Sequence, residues 1–209
     1  MKRNQAIEVL VLERLKNLSP KERSEQLETM KFEDRSESKD WLKLSNDIKS
    51  EFKKWKLKDN PNAEKYDEVL KIWLREGLQY VTNEFLCTSL KVDSIEGKGK
   101  QKQLLGCPCC GSCTISERGD YEVCKVCWWE DDGQDNHDAD EVLGWPNYVS
   151  LTDGRYNFLK YGIYNPTRKD LIKLKEPIAK YGKSREFEII GKYIFEKRTN
   201  RKGEVKIDI

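Results

Sequence analysis

Six of the seven cysteines of the chain lie between positions 107 and 127, and four of them form two C-x-x-C pairs. These four are Cys107, Cys110, Cys124 and Cys127. Two such pairs, separated by a hairpin-sized segment, can place four thiolates tetrahedrally around one zinc ion at about 2.3 Å each. Pro108 and Gly111 suit a tight knuckle, because proline restricts φ and glycine tolerates a positive φ. The spacing therefore predicts a zinc ribbon.

Two further cysteines, Cys109 and Cys113, lie in the same stretch and leave an alternative register open. Cys109 could replace Cys110 as a ligand, but the outer pair matches the spacing of the second pair and is preferred. A closed set of four thiolates leaves no position for water, so the zinc is expected to be structural. An iron–sulfur cluster also accepts four cysteines, although ribbon spacing favours zinc.

An acidic segment follows the second pair, with seven carboxylates and no Lys or Arg between Glu130 and Glu141. Clustered carboxylates can bind a divalent cation, act as acid and base, or contact a basic partner. The segment lacks a complete calcium-loop pattern, and His137 is the single histidine. The predicted partner-binding residues are Trp128, Trp129, Glu130, Asp131, Asp132 and Asp135. Trp145 also flanks the loop, and these tryptophans are either lids over a small core or interface anchors.

Composition constrains the function only weakly. The net charge of +2 gives no general argument for binding nucleic acid or membranes. Lys and Arg outnumber Asp and Glu after Gly154, however, so a nucleic-acid-binding module using this basic region is the alternative function. No apolar run reaches the ~20 residues of a membrane helix. The N-terminal stretch does not have the pattern of a signal peptide, and we expect a cytoplasmic protein with reduced thiols.

Apolar periodicity predicts four helices before the cysteines, at about residues 2–18, 20–30, 38–56 and 63–90. Their apolar stripes, including Trp55 in the third helix, are typical of a bundle core. A polar loop is predicted from Glu33 to Lys39. The Gly- and Lys-containing segment 93–104 is interpreted as a linker.

The rest of the chain predicts short strands and helices. Strands 114–116 and 121–123 are expected to pair across the turn Glu117–Asp120, and helices should begin after Ser150 and Thr167. Strands within 186–197 and 204–209 are expected to form a hairpin around the turn at 200–203. The predicted fold is α+β: an N-terminal helical bundle, then a zinc-ribbon-like domain with a short C-terminal β-hairpin. The predicted domains are 1–92, 105–165 and 166–209, with 93–104 as the linker.

The sequence around the cysteines resembles the bacterial cysteine-rich CPCC family. The residues that carry the resemblance extend over about 105–165, and residues 18–23 are similar to a leader found before this domain in some members. The carrying segments are Cys107–Gly111, Tyr121–Asp132, Pro146–Asn147, Ser150–Leu151, Arg155–Phe158 and Gly162.

This resemblance implies a small zinc-ribbon domain in which Trp129, Glu130, Asp131 and Asp132 are a fixed part of the ribbon. Occurrence of some members beside bacterial toxins implies an immunity-type inhibitor. The expected function is accordingly that of a non-catalytic zinc-ribbon protein that binds a protein partner, such as a basic toxin, through the acidic loop.

Overall fold

The computed structural model describes residues 1–30, 38–54, 56–199 and 205–206. The chain divides into two compact units. The first contains Met1–Gln79 and Leu86–Lys98, and the second contains Tyr80–Phe85 and Gly99–Ile209. The division between Lys98 and Gly99 falls inside the segment interpreted as a linker, and the predicted domain bounds themselves stay a prediction.

The first two predicted helices are present almost as expected. Helix α1 is Arg3–Asn17 and α2 is Pro20–Met30. Ser19 precedes α2, and its hydroxyl and backbone N–H both donate to the Glu22 carboxylate, while the Glu22 N–H donates to the Ser19 hydroxyl. This reciprocal arrangement is the capping box that the sequence predicts. Most of the polar loop predicted at 33–39 lies outside the described residues.

The prediction of a single helix over 38–56 is wrong, because the structure has two shorter helices there. Helix α3 is Lys39–Leu42 and α4 is Asn46–Lys53. Ser45 lies in extended conformation between them, and its hydroxyl accepts a hydrogen bond from the Ile48 N–H. A new N-cap therefore starts a second helix where the apolar spacing alone continues without a break. Trp55 lies outside the described residues.

The long helix predicted over 63–90 is also divided. A 3₁₀ turn at Glu64–Tyr66 leads into α5, Asp67–Leu78, and α6 is Asn83–Leu90. The Thr82 hydroxyl accepts a hydrogen bond from the Phe85 N–H at 3.0 Å, which caps the start of α6. Thr82 also donates from its backbone N–H to the Lys180 carbonyl and from its hydroxyl to the Ala179 carbonyl. These contacts place the start of α6 within the second unit.

The helical unit contains an apolar core with a buried carboxylate beside it. The fully or almost fully buried members of this core are Leu27, Met30, Ile48, Phe52, Tyr66, Val69 and Leu70. Beside them the Glu51 side chain, only 2 % exposed, accepts hydrogen bonds from the Tyr66 hydroxyl at 2.5 Å and the Lys65 Nζ at 2.9 Å. Burial of this carboxylate is therefore compensated by charge-assisted hydrogen bonds.

The second unit begins with the cysteine-rich region and ends in short antiparallel strands. Strands β1, Leu105–Gly106, and β2, Cys113–Ile115, pair with each other. Helix α7 is Leu151–Tyr161, and its N-cap is Ser150, as predicted. Helix α8 is Lys169–Ile172, and its N-cap is Arg168 without a side-chain cap rather than Thr167.

The C-terminal hairpin lies earlier than the sequence predicts. Strands β3, Phe187–Ile190, and β4, Tyr193–Glu196, pair with each other, so both lie inside the segment expected to be one strand. Gly191 has φ +63° and allows the tight turn between them. A second small pair joins β5, Arg198–Thr199, to β6, Val205–Lys206, and the predicted turn at 200–203 lies outside the described residues.

The α+β prediction is confirmed: helices precede a four-cysteine cluster, small antiparallel strands and a C-terminal hairpin. Throughout the described ranges, no helix has the length and apolar character needed to span a membrane.

Candidate metal centre

The two C-x-x-C segments fold into knuckles with the same hydrogen-bond pattern. In the first, the Cys107 N–H donates to the Ser112 carbonyl, and the Gly111 N–H donates to the Cys107 carbonyl, both at 2.9 Å. In the second, the Cys124 N–H donates to the Trp129 carbonyl, and the Trp128 N–H donates to the Cys124 carbonyl, both at 2.8 Å. The residue after each pair has a positive φ, +77° at Gly111 and +67° at Trp128.

Each knuckle is the turn of its own hairpin, which corrects the predicted strand pairing. The first knuckle connects β1 to β2. The second connects Tyr121–Val123 to the residues after Trp129, with a bridge between Val123 and Glu130. Strand 114–116 therefore does not pair with 121–123; the two are joined through the Glu122 carboxylate, which accepts from the Ser116 N–H at 2.5 Å. The backbone hydrogen bonds from the Cys107 N–H to the Ser112 carbonyl and from the Cys124 N–H to the Trp129 carbonyl commit the flanking segments to pairing across each knuckle instead.

Four sulfur atoms meet between the knuckles. The Sγ atoms of Cys107, Cys110, Cys124 and Cys127 all lie within 4.8 Å of one another, and the residues are buried. The Cys107–Cys127 and Cys110–Cys124 Sγ separations are both 3.6 Å. Sulfurs at about 2.3 Å from a tetrahedral zinc ion are about 3.8 Å apart, so the cluster has the size of such a site. The donor set fits one thiophilic metal ion, in the register that uses Cys110.

The electrostatics of the cluster also favour a cation. Burial raises the pKa of the Cys107 and Cys127 thiols well above the ordinary value. Without a cation, therefore, the cluster cannot carry four thiolates at neutral pH, whereas a bound divalent ion would offset their charge. The Thr114 hydroxyl lies 3.1 Å from the Cys124 Sγ and donates to it, as an outer hydrogen bond that orients a metal ligand.

Cys109 is buried on the side of the first knuckle that faces Trp129 and α7. A Cβ added at Gly154 of α7 would lie 2.9 Å from the Trp129 ring and 3.5 Å from the Cys109 Sγ. Glycine at this helical position therefore lets the indole and the knuckle pack directly on the helix. The Trp129 ring also meets the Tyr164 ring edge-on at a centroid distance of 5.9 Å. Cys109 and Trp129 thus form the packed wall of the cluster.

Arg155 of α7 holds the first knuckle from outside the cluster. Its Nε donates to the Pro108 carbonyl at 2.9 Å, and its guanidinium lies 4.4 Å from the centroid of the Phe187 ring. The residue is only 6 % exposed, and burial lowers the pKa of its guanidinium to about 10. A buried arginine in this position fixes the backbone carbonyl between two cysteines, so it orients the cluster without contacting a metal.

The inner side of the acidic loop is neutralised by arginines. Asp131 is fully buried, and its Oδ2 accepts a hydrogen bond from the Arg118 Nε at 2.7 Å. Asp135 accepts from the Arg118 and Arg185 guanidinium groups, each at 2.7 Å. Burial acts to raise the pKa of Asp135, but the hydrogen bonds from these two arginines outweigh it and hold the pKa well below its usual range. These carboxylates therefore stabilise the loop internally.

The structure divides the predicted partner-binding residues into two groups. Trp129 and Asp131 are completely buried, so they serve the packing and charge balance of the domain and cannot be surface contacts in this conformation. Trp128, Glu130, Asp132 and Asp135 are partly exposed. Trp145 is 63 % exposed, so it is the tryptophan of this region with the most accessible ring. His137 is exposed and lies beside Asp138.

Sequence reasoning missed the residues that fix this architecture, although some of them lie in the motifs that carry the resemblance. Arg155 belongs to Arg155–Phe158, and Asn147 to Pro146–Asn147. The Asn147 side chain accepts from the Glu130 N–H at 3.1 Å and donates to the Glu130 carbonyl at 2.8 Å. Arg118 and Arg185 carry no local signal, because their carboxylate partners are distant in the chain.

A family model described as Cysteine-rich CPCC matches residues 105–178, about a third of the chain. The resemblance is confirmed for this segment, which includes both knuckles, α7 and α8. No curated protein and no solved structure matches the chain. The segment of the chain from residue 105 to 178 is thus a cysteine-rich CPCC domain with a cluster of four cysteines that can hold a metal ion.

Proposed function

We propose that the protein is a non-catalytic binding protein whose CPCC domain is organised by one structural zinc ion. The observation that carries the proposal is the buried group of four Sγ atoms, mutually within 4.8 Å, on two matching knuckles. Four thiolates complete the coordination of zinc, so the metal has no free position at which to activate water. The role of such a metal is to hold a small domain together.

The proposed partner is a protein with a basic contact surface. An inhibitor of a basic toxin, as implied by the family resemblance, would be one form of this function. Nucleic acid is less favoured, since several basic side chains after Gly154 are already ion-paired within the chain. These pairs are Arg168–Asp170, Lys180–Glu176, Arg185–Glu196 and Lys197–Glu188.

The zinc part of the proposal is tested by elemental analysis of the purified full-length protein. We expect one zinc per chain, lost in Cys107→Ser and Cys124→Ser, because structural zinc contributes ~10 kcal/mol or more to small domains of this kind. Cys109→Ser is the matched control, since it removes a buried thiol of the same knuckle that lies outside the four-sulfur group.

Cobalt substitution gives a second measurement that does not depend on the variants. Four thiolates around cobalt produce intense sulfur-to-metal charge-transfer absorption, so the intensity in the wild-type protein reports the number of sulfur ligands. Wild-type protein that is folded and contains no metal would contradict the proposal. Equal metal loss in Cys109→Ser and Cys107→Ser would contradict the assignment of the four ligands.

A further inference from the structure

Two large aromatic side chains contact each other on the surface beside the second knuckle. The Tyr121 and Trp145 rings have a centroid separation of 5.2 Å, yet the residues are 49 % and 63 % exposed. Tyr148, in the same turn as Trp145, is 67 % exposed, and its N–H donates to the Gly144 carbonyl at 2.6 Å. Burial of these rings therefore contributes little to folding compared with Trp129.

The backbone at this place is also unfavourable for the residues it carries. Tyr121 has φ +56° and Tyr148 has φ +57°. For a bulky residue this left-handed conformation is sterically unfavourable, whereas glycine or asparagine adopts it at lower cost. These residues combine exposed aromatic rings with unfavourable φ angles, and neither feature stabilises the fold. Backbone strain of this kind is often found at functional sites.

The charge next to the aromatic pair is negative, and in the part of the chain that the structure describes it has no ion-pair partner. Asp120 precedes Tyr121, and Asp132 is held against the Trp145 turn because its Oδ2 accepts from the Asn147 Nδ2 at 3.1 Å. The Asp132 Oδ1 accepts a hydrogen bond from the backbone N–H of Gln134 at 3.1 Å. Within residues 1–30, 38–54 and 56–199, neither Asp120 nor Asp132 forms an ion pair, in contrast to the arginine-paired Asp131 and Asp135.

From this combination we infer that Tyr121, Trp145 and Tyr148, with the carboxylates of Asp120 and Asp132, form a docking surface for a basic segment of a partner protein. The inference rests on the proposed protein-binding function and moves its contact surface from the acidic loop to the aromatic turn beside it. An arginine of the partner can stack on the Trp145 and Tyr121 rings while its guanidinium pairs with a carboxylate. Phosphate groups of nucleic acid would be repelled by the same carboxylates.

The test uses the full-length zinc-loaded protein and a displayed library of random 12-residue peptides as the probe. Peptides selected on the wild-type protein are synthesised, and their affinities are measured by fluorescence polarisation for the wild type and the variants. We expect the selected peptides to contain Arg or Lys beside an apolar residue. Their affinity should fall about 10-fold or more in Trp145→Ala and Tyr121→Ala, and about 3-fold in Asp132→Asn.

Tyr161→Ala is the matched control, since Tyr161 is 56 % exposed in the same unit but lies on α7. It should leave the affinity unchanged, and all variants should keep their zinc. Three results would overturn the proposed docking surface. The selected peptides could lack basic residues, they could bind the wild type and Trp145→Ala equally well, or no peptide could be selected at all. Displacement of the peptides by a single-stranded oligonucleotide would also overturn it. Binding that persists in Trp145→Ala would leave a protein-binding function in place, whereas absence of zinc from the wild type is the separate failure of the proposed function.

Discussion

The helical unit and the CPCC domain have cores of different chemistry. The helical core consists of leucine, isoleucine, valine, methionine, phenylalanine and tyrosine side chains. In the core of the second unit, five of the fourteen buried members are cysteines, and four of these form the sulfur cluster. The first core gains its stability from the apolar area removed from water. The second contains clustered sulfur atoms, which are stable together as thiolates only when a cation is bound.

The polar groups inside the two regions also differ. In the helical unit, Glu51 is the buried carboxylate and takes its partners from residues 58–66. In the second unit, Asp131 and Asp135 take theirs from Arg118 and Arg185, up to 50 residues away in the chain. Both units also contain ion pairs between residues far apart in the chain, such as Arg75–Glu8 in the helical unit. The two regions therefore differ mainly in the four-sulfur cluster, which the helical core lacks and which we propose to hold a metal.

Removal of the metal should produce the largest difference in stability between the two regions. We expect a strong chelator, with a thiol reductant present, to unfold the CPCC domain of the full-length protein, since it removes ~10 kcal/mol of binding free energy. The helical unit should keep its hydrogen-exchange protection. Hydrogen exchange resolved by peptide, read for residues 3–30 and 105–165, measures both. Loss of protection in both regions together would show that the comparison is wrong.

A cavity in the helical core should destabilise the helical unit and leave the metal content of the CPCC domain unchanged. Leu70 is completely buried, so Leu70→Ala should lower the free energy of unfolding of the helical unit by about 2–5 kcal/mol while zinc content stays at the wild-type value. Leu12→Ala is the control, because Leu12 is 53 % exposed on α1 and its truncation should cost much less. Chemical denaturation followed by far-UV circular dichroism, with metal analysis of the same samples, separates the two effects.

The buried carboxylate of the helical unit should give a smaller, pH-dependent effect. Burial acts to raise the pKa of Glu51, but the hydrogen bonds from Tyr66, Lys58 and Lys65 outweigh it and lower the pKa to about 2. Since an unfolded chain has a glutamate pKa of about 4.3, the stabilisation is complete above about pH 5. It is lost as the pH falls from about 5 to 2.

Glu51→Gln should therefore cost about 2 kcal/mol at pH 7 and progressively less at acid pH. Glu64→Gln, at an exposed position of the same unit, is the control and should change stability little at any pH. Urea denaturation at pH 7 and pH 3 measures both variants. A Glu51→Gln deficit that is equal at the two pH values would argue against an ionised buried carboxylate.

Several elements were predictable because their signals are local. Apolar periodicity identifies α1, and periodicity together with cap residues identifies α2 and α7, where Ser19 and Ser150 lie within three residues of the N–H groups that they cap. The breaks at Ser45 and Thr82 were missed, although both residues are helix caps. Their apolar stripes continue across the break, so periodicity outweighed the cap signal.

By itself, the sequence favoured Cys107, Cys110, Cys124 and Cys127, because knuckle geometry depends on the two-residue spacing inside each pair. The structure decided between Cys109 and Cys110, since the Cys110 Sγ belongs to the four-sulfur group. Only the tertiary structure decided which side chains of the acidic region are buried and which remain accessible. Asp131 and Asp135 are neutralised by arginines from other segments, and Trp129 packs on Gly154, whereas Trp145 remains at the surface. These outcomes depend on contacts between residues far apart in the chain, for which composition and spacing carry no signal.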